Sequence, residues 1–170
     1  MTFSSGEIEI AAPGLDQFLN DAFEGDFSAE DFEHCMGGQH FVVLRDSQLL
    51  AHGSVVSRKI CFDDLRLDVG YVEALAVRPD WRGRGVGSDL LAELTTHCQT
   101  NFGVSMLSTD RQAFYERHGW RRIAGESFVE TDSGLVRTAD EDEGLMVLTD
   151  LAVAVQARQV ICDFRNGDVW

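Results

Sequence analysis

"VEALAVRPDWRGRGVGSDLLAEL", Val72 to Leu94, decides how this chain reads. From Val72 to Val77 it is apolar on both faces except for Glu73, the pattern of a buried central strand. From Val86 onward, Val86, Leu90, Leu91 and Leu94 recur at helical spacing, and Cys98 continues the stripe. Between strand and helix, Arg82 to Gly87 holds three glycines and two arginines in six residues. A glycine-rich turn leading into a helix N-terminus is an anion site. The first amides of a helix lack intrahelical partners, and the helix dipole favours negative charge there. Glycines let a ligand approach the backbone, and Arg82 and Arg84 add charge-assisted donors suited to phosphate. The spacing excludes two common phosphate loops. Gly83, Gly85 and Gly87 give G-x-G-x-G with Ser88 next, so the dinucleotide pattern G-x-G-x-x-G is missing. No G-K-[ST] follows, so this is not a P-loop.

The rest of the chain carries the opposite sign. Its 170 residues hold 29 acids against 14 Lys and Arg, a formal net charge of −15. Such a surface repels nucleic acid and anionic membranes and draws in cations. The acids are bunched: Asp21 to Glu33 carries six and no base, and "ADEDE", Ala139 to Glu143, carries four in a row. With 44% hydrophobic and 25% charged residues, the composition is that of a soluble globular protein, expected to be one cytoplasmic domain over 1–170. No apolar run approaches the roughly 18 residues of a membrane span. The opening "MTFSSGEIEI" lacks the basic and apolar regions of a leader. Cys35, Cys61, Cys98 and Cys162 are scattered and the five histidines lack ligand spacing, so reduced thiols and no metal are expected.

Outward from the loop, the periodicity predicts an α/β (α+β) fold, a mixed central sheet flanked by helices. Leu15, Phe18, Leu19, Ala22 and Phe23 form a helical stripe that Gly25 ends. Ser28 opens a second short helix with a capping-box spacing to Asp31, stopped at Gly37-Gly38. "QHFVVLRDSQLLAHGSVVSRKICF" reads as two strands joined at Arg45-Asp46-Ser47, and "LRLDVGYVEALAVRP" as another. "VSMLST" is a strand, "RQAFYERHG" a helix, and "LMVLTDLAVAV", Leu145 to Val155, a closing strand. Helices and strands do not alternate regularly, which argues against a doubly wound fold.

The loop segment resembles the acetyl-CoA-binding segment of the GCN5-related N-acetyltransferases (GNAT), whose signature R/Q-x-x-G-x-G/A is met by Arg82-Gly83-Arg84-Gly85-Val86-Gly87. "AFYERHGW", Ala113 to Trp120, resembles the later segment that carries a tyrosine near the thioester sulfur. Together with "AFEGDFSAEDFEH", "GYVEALAVRPDWRG" and the closing "CDFRNGDVW", the chain from about Gly14 to Trp170 is similar to the aminoglycoside 2'-N-acetyltransferases. The resemblance implies acetyl-CoA as cosubstrate, a polycationic aminoglycoside as acceptor, a role in antibiotic resistance and a homodimer. It assigns the cofactor to Leu75, Ala76, Val77 and the loop from Arg82 through Gly83, Arg84, Gly85, Val86 and Gly87 to Ser88. It assigns the substrate's ammonium groups to Asp26, Asp31 and the terminal carboxylate of Trp170, and further substrate contacts to Ser108 and Glu73. One further aspartate falls within Asp140 to Asp142, with Asp142 preferred.

The chemistry of the residues agrees. No cysteine has a nucleophile's setting, so the acetyl group should pass directly from thioester to amine. The amine arrives protonated, and Glu73, in an apolar strand, is the candidate base, acting through water. A backbone N–H near Leu75 would face the oxyanion. Tyr115, with an ordinary phenol near 10, is the candidate acid for the leaving thiolate. Two other readings share these features: an acetyltransferase for a polyamine, amino sugar or mycothiol precursor, and a non-catalytic acyl-CoA or cation binder.

Overall fold

The computed structural model describes residues 2–6 and 14–170; residues 7–10 of the opening stretch, read above as lacking a leader, lie outside them. The chain divides into two compact units: residues 1–56 with 72–97, and residues 57–71 with 98–170.

In the first unit β1 (Thr2–Gly6) pairs antiparallel with β2 (Gln39–Arg45), and β2 antiparallel with β3 (Gln48–Phe62). Asp46 and Ser47 join β2 to β3 with φ of 50° and 64°. Two left-handed residues make the turn whose twist matches that of the strands. Helix α1 (Leu15–Ala22) buries Leu15, Leu19 and Ala22. Helix α2 (Ala29–Cys35) buries Cys35, and these four residues cluster with Ala76 of β4 (Leu65–Val77). The reading of α2 holds in detail. The Asp31 amide donates to Ser28 Oγ at 3.0 Å, and the Ser28 amide donates to Asp31 Oδ2 at 2.9 Å. Helix α3 (Val86–Asn101) buries the predicted stripe of Val86, Leu90, Leu91, Leu94 and Cys98. Gly53 lets α3 approach β3, because a Cβ there would lie 2.8 Å from Leu94 Cδ1.

In the second unit the strands run β6-β9-β5-β4-β3-β10-β7-β8. They are β5 (Ser105–Ser108), β6 (Arg121–Arg122), β7 (Glu126–Thr131), β8 (Gly134–Arg137), β9 (Leu145–Leu148) and β10 (Gln159–Asp163). The β4–β5 and β10–β7 pairs are parallel; β5–β9, β6–β9, β10–β3 and β7–β8 are antiparallel. Gly70 admits the Phe102 ring, which a Cβ would meet at 2.6 Å. Helix α4 (Gln112–Glu116) follows β5.

The closing strand is a correction. Leu145 to Val155 does not run as one element: β9 ends at Leu148, α5 (Ala152–Val155) is a helical turn, and β10 comes after it. The break is at Thr149, whose Oγ1 accepts from the Leu151 amide at 3.0 Å and donates to Gly103 O at 2.7 Å. Such side-chain bonds to the backbone turn the chain where periodicity alone reads straight through. No helix among the described residues is long and apolar enough to cross a membrane. All four cysteines are free thiols.

Candidate functional site

Strand β4 of the first unit ends in a 3₁₀ turn at Pro79–Trp81, and the loop follows. Gly83 and Gly85 have φ of 74° and 87°, the left-handed region in which a side chain is strained. The amides of Ser88 and Asp89 both donate to Gly85 O, at 2.9 and 3.0 Å, so Gly85 stands at the N-terminus of α3. The amides just after it are therefore the ones that a helix leaves without internal partners. Arg84 is exposed, its guanidinium 4.9 Å from the Trp81 ring centre, and Arg45 covers the same ring at 5.1 Å. Arg82 is exposed too and also bonds inward. Its guanidinium donates to Ala22 O at the end of α1, to Val77 O at 3.3 Å and to Glu24 Oε1 at 3.3 Å. It ties the loop to the end of α1, while Arg84 lies over the Trp81 ring. An anionic ligand fits this cradle: open space at both glycines, helix-terminal amides and the exposed side chains of Arg82 and Arg84.

Upstream on β4, Ala74 has φ of 49°, inside a strand. The regular alternation is lost there, and Glu73, Ala74 and Leu75 are all half-buried. Glu73 O accepts from Ser54 Oγ at 3.4 Å, and Ala74 O lies 3.0 Å from His52 Nδ1. Glu73 also acts on Cys35: burial above all, and then the charge of Glu73, pushes that thiol up to about 12. Cys35 thus stays a thiol, in keeping with transfer that needs no nucleophilic cysteine. Asp26 is exposed. Asp31 commits Oδ2 to the Ser28 amide and sets Oδ1 4.0 Å from His34 Nδ1.

The second unit gathers the later residues. Tyr115 is 7% exposed and packs edge-on against Phe114 and Trp120, with ring centres 5.2 and 6.3 Å away. Burial raises its phenol to about 12, with a Thr109 hydrogen bond and the Arg111 charge opposing and Asp110 adding to the rise. It holds its proton more firmly than the ordinary value suggested. Trp170 is 2% exposed. Its amide donates to Asp168 Oδ1 at 3.0 Å and its indole to Thr138 Oγ1 at 2.9 Å, while its oxygen accepts from Tyr71 at 3.0 Å and from Arg165 at 3.1 Å.

Within 140–143 the acids differ. Asp142 is taken up by Arg137 and by Ser127, whose amide and hydroxyl both donate to Oδ1 at 2.8 Å. These bonds, Arg137 first, hold its carboxyl down at about 2. Glu141, which the sequence did not single out, accepts from Ser108 Oγ at 3.2 Å. Burial, then the charges of Asp168 and Asp140, raises its carboxyl above the usual range. The bond between Ser108 and Glu141 joins two positions 33 apart, a pairing no local pattern announces. Among the described residues no three His, Cys, Asp or Glu side chains group as metal ligands.

Comparison with known proteins narrows the chemistry. Residues 36–122 match the family described as Acetyltransferase (GNAT) domain. An aminoglycoside 2'-N-acetyltransferase of Mycolicibacterium fortuitum is 37% identical over 163 residues, covering 92% of this chain and 84% of that protein. The GNAT family N-acetyltransferase YhbS of Escherichia coli, solved with CoA, superposes with a TM-score of 0.70 at 21% identity, over 95% of this chain and 88% of that one. A GNAT acetyltransferase of Brucella melitensis, solved with acetyl-CoA, gives 0.57 at 19% identity, over 71% and 82%. A probable N-acyltransferase of Enterococcus faecalis gives 0.60 at 21% identity over 74% of this chain, which spans about a third of that protein's length (33%). The structural likenesses speak for the fold alone. With a family segment over half of its length and a curated relative over nine-tenths of it, the chain belongs to the GCN5-related N-acetyltransferase (GNAT) family.

Proposed function

We propose that the chain is a single catalytic domain that moves the acetyl group of acetyl-CoA to the 2'-amino group of an aminoglycoside. The observation that carries the acceptor is Glu141, a half-buried carboxylate beside Ser108 that faces the charges of Asp168 and Asp140 and, among the described residues, has no ion-pair partner within 4.0 Å. A polycation relieves that repulsion, and the net charge of −15 draws one in. The relative from Mycolicibacterium fortuitum supports the same acceptor. In this reading Glu141 takes the place that the sequence gave to Asp142, which is already paired with Arg137. Asp26, Asp31 and the Trp170 carboxylate complete the acid set.

The amides after Gly85 and the Arg84 guanidinium hold the pyrophosphate, and Leu75 to Val77 line the pantetheine arm. Glu73, through water, takes a proton from the substrate ammonium. The freed nitrogen lone pair attacks the thioester carbon, with the Leu75 N–H facing the oxygen as it gains charge. The C–S bond then breaks. Tyr115 gives its proton to the departing sulfur, which leaves as free thiol, and takes a proton back through water from the acetylated nitrogen. The acetylated amine loses a positive charge, which would weaken the antibiotic's hold on an anionic target.

Free thiol released from acetyl-CoA with tobramycin, which has an amine at 2', and not with kanamycin A, which has a hydroxyl there, tests the reaction and its position together. Turnover with both keeps the acetyltransferase and removes the 2' assignment. Turnover with neither removes the aminoglycoside.

A further inference from the structure

The strand that carries Glu73 is held by groups that no step above uses. His52 and Ser54 are consecutive same-face residues of β3, and both are fully buried. Ser54 Oγ donates to Glu73 O at 3.4 Å, and the His52 ring meets Ala74 O at 3.0 Å. In a regular strand successive carbonyls point to opposite sides. Here two successive carbonyls both bond to side chains of β3, and between them stands the left-handed Ala74, at φ 49°.

The proton positions follow. A carbonyl can only accept, so His52 Nδ1 carries a hydrogen and donates to Ala74 O. His52 Nε2 is then the acceptor for His40 Nδ1, 2.9 Å away. His40 must carry its hydrogen on Nδ1, which leaves His40 Nε2 bare, and among the described residues that buried atom has no partner. Both rings are thereby fixed as neutral Nδ1–H tautomers. The chain His40 to His52 to Ala74 O has one direction. A trans peptide sets its N–H opposite its C=O, and no peptide bond among the described residues is cis. Pinning Ala74 O to His52 therefore aims the Leu75 N–H away from His52.

We propose that His52, oriented by His40, is a positioning residue for acyl transfer: its ring holds the Ala74–Leu75 peptide so that the Leu75 N–H stays directed at the thioester oxygen. The proposal rests on the reading of Leu75 as the oxyanion donor, and it assigns a task to two buried histidines that otherwise have none. Neither ring touches substrate; the effect runs through one peptide plane.

The test uses the full chain labelled with ¹⁵N-leucine and two substitutions. His52→Leu removes the donor, and His52→Asn keeps an N–H close to the Nδ1 position. In the wild type and in His52→Asn, acetyl-CoA should move the Leu75 amide proton downfield, and CoA, which has no acetyl oxygen, should not. In His52→Leu that acetyl-dependent shift should fall by half or more, with CoA affinity within about twofold of wild type. With tobramycin, kcat should fall at least tenfold in His52→Leu and recover to within about threefold in His52→Asn, with KM for acetyl-CoA little changed. An undiminished Leu75 shift in His52→Leu overturns the proposal, and so does an Asn variant as slow as the Leu variant. If the wild type is silent with tobramycin, the acceptor assignment fails, and the amide shift still decides the role of His52. Should His52→Leu not fold, His40→Leu, which severs only the backing contact, must weaken the same shift or the proposal falls.

Discussion

Arg137 grips both carboxylate oxygens of Asp142, its Nη1 at 2.8 Å from Oδ1 and its Nη2 on Oδ2. That single pairing distinguishes Asp142 from its neighbour Glu141, whose carboxylate accepts from Ser108 Oγ instead. It follows that Asp142→Asn should act on stability and hardly on substrate. The Asp142 carboxyl is held at about 2 against an ordinary 3.8, a depressed value. Its contribution is therefore complete above the ordinary value and disappears as pH falls through about 2. Melting curves should show the variant below wild type at neutral pH, with the gap closing as pH falls from about 4 toward 2. A constant gap across that range would mean the pair contributes nothing through charge.

Glu141→Gln should do the reverse: little change in melting temperature and an aminoglycoside KM raised by about tenfold, the loss of one charge-assisted contact. The Glu141 carboxyl titrates above the usual range because it is half-buried and faces the charges of Asp168 and Asp140. Its charge appears only as pH rises through that raised value, so the wild-type KM should fall over the acid limb, where the substrate's ammonium groups stay charged. Initial rates against pH should show that fall in the wild type and a flatter limb in the variant.

Tyr115 is expected to act with its proton in place. Raised to about 12, its phenol does not titrate at any ordinary assay pH. Tyr115→Phe should lower kcat by about 10- to 100-fold with acetyl-CoA KM unchanged. The two pH–rate profiles should also superimpose after scaling. An alkaline limb present in the wild type and missing in the variant would show that the phenol does titrate, against the effect of its burial.

Gly85 stands at φ 87° with nothing within 4 Å of a would-be Cβ. The cost of a side chain there is conformational, about 1–2 kcal/mol for a left-handed L-residue. Gly85→Ala should raise acetyl-CoA KM, because the helix-terminal amides relax away from their aim, and it should do so with no steric block. Isothermal titration with CoA alone reads this without any acceptor.

The parts of the fold written in local pattern were legible. The stripe from Val86 to Cys98, the Ser28–Asp31 box and the turn at Asp46-Ser47 each depend on residues within a few positions of one another, and each formed as read. What escaped depends on partners far along the chain. The run from Leu145 to Val155 reads as one strand because its break at Thr149 involves Gly103 O, 46 positions away. Asp142 and Glu141 are neighbours in sequence, and only the β7–β8 hairpin, which was not read, brings Arg137 and Ser127 to one of them. The left-handed backbone at Ala74 left no mark in an apolar strand, since nothing in an alanine announces a positive φ, and the residues that bond to it and to Glu73, His52 and Ser54, lie on another strand.

Arg82 and Arg84 belong to one motif and sit two residues apart, yet they face different partners. Arg82 is bound to Ala22 O, Val77 O and Glu24, so removing it frees the end of α1 from the loop. Arg84 lies over the face of Trp81 and is exposed. Arg82→Ala should therefore lower the melting temperature and loosen amide exchange at Phe23 to Gly25, raising acetyl-CoA KM as a consequence. Arg84→Ala should leave the melting temperature in place and raise KM about five- to tenfold. It should also reduce the salt dependence of CoA binding, because one phosphate-directed charge is gone. Calorimetry and binding titrations at two ionic strengths separate the two. If Arg84→Ala melts early while Arg82→Ala melts like wild type, the tether and the ligand contact have been assigned to the wrong arginines.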